Sequence, residues 1–275
     1  MTLTKLSYNI LVFGGEPVEK SIARLSRFGY DAVEFVGEPD QYDFAEVRAL
    51  LKKYGIRAGS ICNIWTKDRD FTSADPKVRE NAIRYTKATI DMAEQIGADV
   101  VIVAPTANMR IVRELPEEEE WKCAVEGLQE CGYYAQPKGV TLVIEPWNRF
   151  ETYLINRLEQ AIHLAKAVGL PNVKIMGDLF HMNIEEANIP QAIRNAQGWL
   201  VHMHVADNQR DLPGKGHLDW PAIIQALKDI NFGGYFVLEY IPPHADPYFA
   251  FRRAVDESVY DEHARYAIEF VRKFL

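Results

Sequence analysis

The stretch VKIMGDLFHMNIEEANIPQAIRNAQGWLVHMHVAD (173–207) decides the fold. It opens on an apolar run that closes on Asp178 and ends on a second apolar run carrying His204, with a helix's length of chain between them. Buried strands joined across one helix run parallel. The same pattern extends outward. TLVIEP (141–146) lies upstream and presents Glu145, and YFVLEY (235–240) lies downstream and presents Glu239. The intervals between Glu145, Asp178, His204 and Glu239 are 33, 26 and 35 residues, each one strand plus one helix. Parallel strands placed in chain order present their carboxyl ends on one face, so these four side chains are expected to converge. Three carboxylates and one imidazole suit a divalent cation.

The rest of the chain repeats the alternation of short apolar runs with segments of helical period. LSYNILVF (6–13), DAVEFV (31–36), RAGSICN (57–63) and DVVIVAP (99–105) read as the first four strands. Asp75 as N-cap and Pro76 as first helical residue start the helix after the third strand, and Gly97 stops it. A further helix is expected to begin near Leu115–Pro116, and the last one to run to Leu275. Eight strand–helix units with no linker between them predict an α/β fold, a single (β/α)8 TIM-barrel domain over residues 1–275. An open doubly wound sheet would carry a Gly-rich phosphate turn after its first strand. Gly14-Gly15-Glu16-Pro17 is not that turn.

The bulk numbers agree. The chain has 275 residues, close to the ~250 of a typical barrel, and 48% are hydrophobic. With 31 basic against 39 acidic residues the net charge is −8, which argues against nucleic acid as a partner. No apolar stretch approaches the ~18 residues of a membrane span, and the amino terminus lacks the pattern of a signal peptide. Three cysteines without a CxxC read as free thiols, and cytoplasmic localisation is the expectation.

In such a barrel the active site forms at the carboxyl ends of the strands. Glu145 there needs a partner, either a cation or an arginine such as Arg149. Asp178 and His181 form D-x-x-H. His202 and His204 lie on one side of their strand, with His204 the better ligand and His202 packed deeper. Glu34, Asn63, Trp65 and Thr106 are read as polar or aromatic strand-end residues lining the substrate side. Two glutamates from separated strands beside one cation suit proton removal next to a carbonyl.

EPWNRFETYLINR, DLFHMNIEE, HMHVADNQR…PGKGHLDW and the terminal LEY resemble the sugar isomerase/epimerase group of xylose isomerase-like barrels. Within that group they are most similar to the ketose 3-epimerases of the D-tagatose/D-psicose type, over about residues 141–241. The resemblance implies a metal-dependent sugar epimerase. Glu145, Asp178, His204 and Glu239 would be ligands of Mn²⁺, or of Mg²⁺ or Co²⁺. Glu145 and Glu239 would double as the catalytic pair, exchanging the C3 proton through a cis-enediolate. Glu151, His181 and Arg210 would bind the sugar. Small barrels of this group often form homo-oligomers, although no patch in the sequence marks one. Ala104-Pro105-Thr106 and the loop IPPHADPYFAFRR depart from the family pattern and bear on which sugar fits.

Hydroxypyruvate isomerase and inosose dehydratase use a similar framework. A non-catalytic sugar-binding barrel would be expected to lack one of the two glutamates, and both are present. Endonuclease IV needs histidine ligands from early strands, and the first histidine here is His163. Asn208 and Arg210 also replace the Asp-x-His it requires. Glu117–Glu120 read as a solvated first helical turn. Pro213-Gly214-Lys215-Gly216 reads as a tight turn before a helix capped by Asp219, with phosphate cradling as the competing reading. Cys62, Trp65 and Trp147 are given packing roles or sugar contacts.

Overall fold

The computed structural model describes residues 4–241 and 257–274. Eight strands close into a parallel barrel in chain order, with the first hydrogen-bonded to the last. They are β1 (Lys5–Asn9), β2 (Ala32–Gly37), β3 (Arg57–Asn63), β4 (Val100–Val103), β5 (Thr141–Ile144), β6 (Val173–Asp178), β7 (Leu200–Val205) and β8 (Tyr235–Leu238). Around them lie α1 (Val18–Phe28), α2 (Phe44–Tyr54), α3 (Pro76–Ile96), α4 (Glu117–Ala135), α5 (Leu158–Val168), α6 (Leu179–Glu185), α7 (Ile189–Asn195), α8 (Trp220–Asp229) and α9 (Glu257–Arg272). The fold agrees with the sequence reading. The loop after the eighth strand, from residue 242 to 253, falls outside the described residues, as does Leu275.

Local chemistry sets the boundaries. The Asp75 side chain accepts the Lys77 N–H at the start of α3, and Gly97 closes that helix in the left-handed region. Two expectations need correction. The first strand does not reach Phe13: it stops at Asn9, whose Oδ1 accepts the Leu11 N–H at 2.9 Å and bends 10–13 into a 3-10 turn. The sixth connection carries two short helices instead of one. Asn188 caps the second through the Gln191 N–H, and Pro190 occupies its first turn.

The strands alternate between two apolar layers. Val101 and Val103 of β4 face the large cluster shared with the helices, while Val100 and Ile102 join Ala32, Cys62, Val143, Met176 and Val237 in a smaller cluster. That smaller set is the filling of the barrel, and it forms the floor on which the polar residues stand. At Gly177 an added Cβ would meet the Met182 and Met203 sulfurs at 2.9 Å each. The residue before Asp178 is therefore small because the packing leaves no room.

Candidate active site

Pairing fixes the height of each side chain in the barrel. Asn9 on β1 aligns with Glu34 on β2, Glu34 with Ser60 on β3, and Asp178 on β6 with His204 on β7. Glu145 and Glu239 immediately follow β5 and β8, and their backbone N–H groups bond to the neighbouring strands at Val103 and Val205. All four residues singled out in the sequence converge. His204 Nδ1 lies 2.9 Å from Glu239 Oε2, 3.6 Å from Glu145 Oε1 and 3.9 Å from Asp178 Oδ2. Each of the four is buried.

Burial of three carboxylates together is costly unless positive charge faces them. The structure supplies part of it through Arg210, which pairs with Asp178 Oδ2 and Glu239 Oε2. Arg210 adopts φ +67°, a left-handed turn, and its guanidinium lies over the Phe180 ring at 5.1 Å. The resemblance placed Arg210 on sugar oxygens; here its guanidinium is held by two of the carboxylates.

Burial pushes the Glu145 carboxyl up to about 8; His204 opposes this, and Glu239 and Asp178 reinforce it. Burial also raises Asp178, but Arg210, His181 and His204 outweigh it and hold it below its ordinary value. For His204 burial disfavours charge, and the Glu239 and Glu34 carboxylates overcome it, raising the imidazole well above its usual range.

The donor set fits a divalent cation. One ligand atom each from Glu145, Asp178 and His204 lie within 4.8 Å of one another. His204 Nδ1 is fully buried and makes no well-aligned hydrogen bond, so a ring nitrogen stands unsatisfied among carboxylate oxygens. Its other nitrogen, Nε2, is fixed at 2.8 Å from Glu34 Oε1. A carboxylate behind a histidine in this way orients the ring and sets which nitrogen is offered to a metal.

Glu34 is the main correction at the site. It does not line the substrate side but is completely buried beneath the four residues. Its oxygens take His204 Nε2, His202 Nε2 at 2.9 Å and the Ser60 hydroxyl at 2.6 Å. Burial raises its carboxyl, but the two histidines more than compensate and keep it ionised. His202 packs deep in the barrel, as expected. Asn9 was missed by sequence reading: its Nδ2 donates to Glu239 Oε1 at 2.9 Å.

At the rim, Asn148 links two residues given to the sugar by resemblance. Its backbone N–H and amide meet His181 Nδ1 at 3.3 and 2.8 Å, and the amide also donates to Glu151 Oε1 at 2.9 Å. The backbone N–H makes Nδ1 the acceptor, which leaves the proton on Nε2, 3.8 Å from Asp178 Oδ2. Asn108 donates to the other Glu151 oxygen at 2.9 Å. Asn108 does not stand out in the sequence, because a lone amide carries no periodic signal, and Asn148 lies within the quoted EPWNRFETYLINR but is given no role there.

The remaining candidates separate. Arg149 pairs with Glu185 at 2.8 Å and leaves Glu145 alone. Asn63 is buried with both side-chain polar atoms unpartnered, so it remains a candidate sugar contact. Thr106 uses its hydroxyl on Thr152 at 2.7 Å. Trp65 packs on Phe71 and Tyr85, and Trp147 is buried with its side chain hydrogen-bonding the Glu145 carboxyl. Cys62 is buried, with its sulfur 3.9 Å from Glu239 Oε1.

The 213–216 segment is a turn, not a phosphate cradle. Asp207 accepts the N–H groups of Gly214 and Leu218 and the indole N–H of Trp220, and Asp219 caps α8. The acidic run 117–120 divides. Its first three residues are exposed, but Glu120 is fully buried, which corrects the solvated-turn reading. Glu120 accepts Arg110, the Tyr153 hydroxyl and two backbone N–H groups.

Among the described residues no helix is long and apolar enough to cross a membrane. Residues 22–270 match the family model described as "Xylose isomerase-like TIM barrel". The D-psicose 3-epimerase of Ruminiclostridium cellulolyticum is 28% identical over 267 residues, covering 92% of this chain and 91% of the relative. That of Enterocloster bolteae is 32% identical over 228 residues, covering 80% and 76%. The crystal structure of D-psicose 3-epimerase with D-tagatose from Clostridium cellulolyticum H10 superposes with a TM-score of 0.90 at 27% identity, covering 99% of each chain.

Proposed function

The chain belongs to the xylose isomerase-like TIM-barrel family, and from that premise we propose that it is a divalent-metal-dependent ketose 3-epimerase. The observation that carries the reading is the convergence of Glu145 and Glu239 on His204 Nδ1, at 3.6 and 2.9 Å. Glu145, Asp178, His204 and Glu239 would hold the cation. Oxygen-rich donors with one imidazole favour manganese, with magnesium or cobalt as substitutes. A bound cation supplies polarisation of the sugar's carbonyl and hydroxyl oxygens.

The chain's own residues do the rest. β5 and β8 stand on either side of the β6–β7 pair, so Glu145 and Glu239 approach the cavity from two flanks. One glutamate removes the C3 proton, giving a cis-enediolate of the sugar, and the other returns a proton to the opposite face. Asn9 orients Glu239 for this exchange. The Nε2 proton of His181 and the Glu151 carboxylate, held by Asn148 and Asn108, hydrogen-bond the sugar's oxygens. With the Gly214 amide engaged by Asp207 and the Lys215 amide by the Leu212 carbonyl, the reading takes the sugar as unphosphorylated. The reading includes a cytoplasmic enzyme that assembles as a homo-oligomer.

Epimerisation of D-psicose, D-tagatose and L-ribulose in D₂O with Mn²⁺ tests the reading. Product carrying deuterium at the inverted C3 supports it. Inversion with all protium retained, or no turnover of any ketose, overturns it.

A further inference from the structure

The barrel floor beside the proposed cation site carries a thiol. Cys62, Glu34, His204 and Glu239 each offer a ligand atom, and the four atoms lie within 4.8 Å of one another. All four residues are buried, and Cys62 Sγ is 3.9 Å from Glu239 Oε1. His204, with its unsatisfied Nδ1, belongs both to this group and to the group formed with Glu145 and Asp178. We propose that the protein contains a second, overlapping metal site, formed by Cys62, His204 and Glu239 above the Glu34 carboxylate, that captures thiophilic cations of the zinc and cadmium class.

The argument rests on donor chemistry. Glu145 and Asp178 are hard oxygen donors suited to manganese or magnesium, whereas a thiolate draws softer ions. A sulfur, an imidazole nitrogen and a carboxylate oxygen are the side-chain types that zinc takes in tetrahedral sites. As the metal–sulfur bond forms, Cys62 loses its thiol proton to solvent, with no change of oxidation state. The other two cysteines offer no such surroundings: neither Cys123 nor Cys131 joins a donor group among the described residues. Because His204 and Glu239 serve both sets, the two cations exclude each other. A thiophilic ion also draws Glu239 away from proton exchange, a consequence that rests on the proposed epimerase reading.

The test uses the full-length chain loaded with Mn²⁺ and titrated with Cd²⁺, without sugar. Thiolate-to-cadmium charge-transfer absorption and free Mn²⁺, read by electron paramagnetic resonance, are followed together. The expected result is an absorption band that saturates near one Cd²⁺ per chain while Mn²⁺ is released in step. In Cys62→Ser the band disappears, and the Cd²⁺ needed for half-release rises by at least about tenfold. Release of Mn²⁺ without a band in the parent protein, or a band that survives in Cys62→Ser, overturns the site. A band with Mn²⁺ fully retained overturns the exclusion. Absence of ketose turnover with Mn²⁺, Mg²⁺ and Co²⁺ overturns the epimerase reading alone, and the cadmium band and its loss in Cys62→Ser still decide this proposal.

Discussion

His204 Nε2 lies 2.8 Å from Glu34 Oε1, which ties the ring at the centre of the site to a carboxylate on the opposite wall of the barrel. The other Glu34 oxygen holds His202. One buried charge therefore sets the orientation of two imidazoles. In Glu34→Gln the amide cannot accept from both rings, since one of its two ends becomes a donor. Manganese affinity is expected to fall about 10- to 100-fold, measured by titration with electron paramagnetic resonance. Unchanged affinity alongside a lowered melting temperature would reduce Glu34 to a packing role.

Glu145→Gln and Glu239→Gln keep the shape of each side chain and remove its proton chemistry. Each is expected to lower kcat by about 10²- to 10⁴-fold. Near-parent turnover in either variant rules out the two-glutamate scheme. Deuterium exchange that persists in one variant without net inversion would identify which glutamate acts on which face.

Protonation of Glu145 predicts a proton-linked metal affinity. With its carboxyl raised to about 8 in the metal-free protein, Glu145 is mostly neutral at pH 7 and must lose its proton to bind a cation. Affinity should therefore climb as pH rises toward 8 and then level off, with proton release visible by calorimetry in buffers of different ionisation heat. The stability of the chelator-treated protein runs the other way. A carboxyl raised on folding contributes stability that is complete below its ordinary range and is lost as pH rises to about 8. A metal-free melting temperature that increases from pH 5 to pH 8 would contradict this assignment of the proton.

Glu120 is expected to matter far more than its three neighbours in the run 117–120. Glu120→Ala strips a buried partner from Arg110 and Tyr153, and should cost about 3–5 kcal/mol in urea unfolding. Alanine at Glu117, Glu118 or Glu119 should stay within about 0.5 kcal/mol. Comparable effects at all four positions would mean that the network linking the loops after β4 and β5 does little for stability.

The sequence made the four central residues readable because each breaks or ends an apolar run at a strand's carboxyl end, where parallel topology brings them together. Glu34 broke such a run as well, inside DAVEFV, yet its role stayed hidden. Its partners His202 and His204 are 168 and 170 residues away, and only closure of the barrel brings β2 opposite β7. Asn9 was absorbed into the apolar run LSYNILVF, where its turn-forming chemistry was masked by Ile10, Leu11 and Val12. Glu120 shows the reverse error. Its local context is that of an exposed helix start, and its burial comes from Arg110 and Tyr153, which belong to loops whose path periodicity does not specify.

Asp178 caps α6 with Oδ1, which accepts the Phe180 N–H, and Asn9 holds Oε1 of Glu239. Each of these side chains thus has that oxygen committed to the protein, while its other oxygen, Asp178 Oδ2 or Glu239 Oε2, takes Arg210. As the proposed ligands, both would bind through the oxygen that Arg210 holds, and chelation through both oxygens would release a helix cap or a buried amide. A cation that prefers about six donors would remain coordinatively unsaturated here, open to two neighbouring oxygens of an incoming sugar.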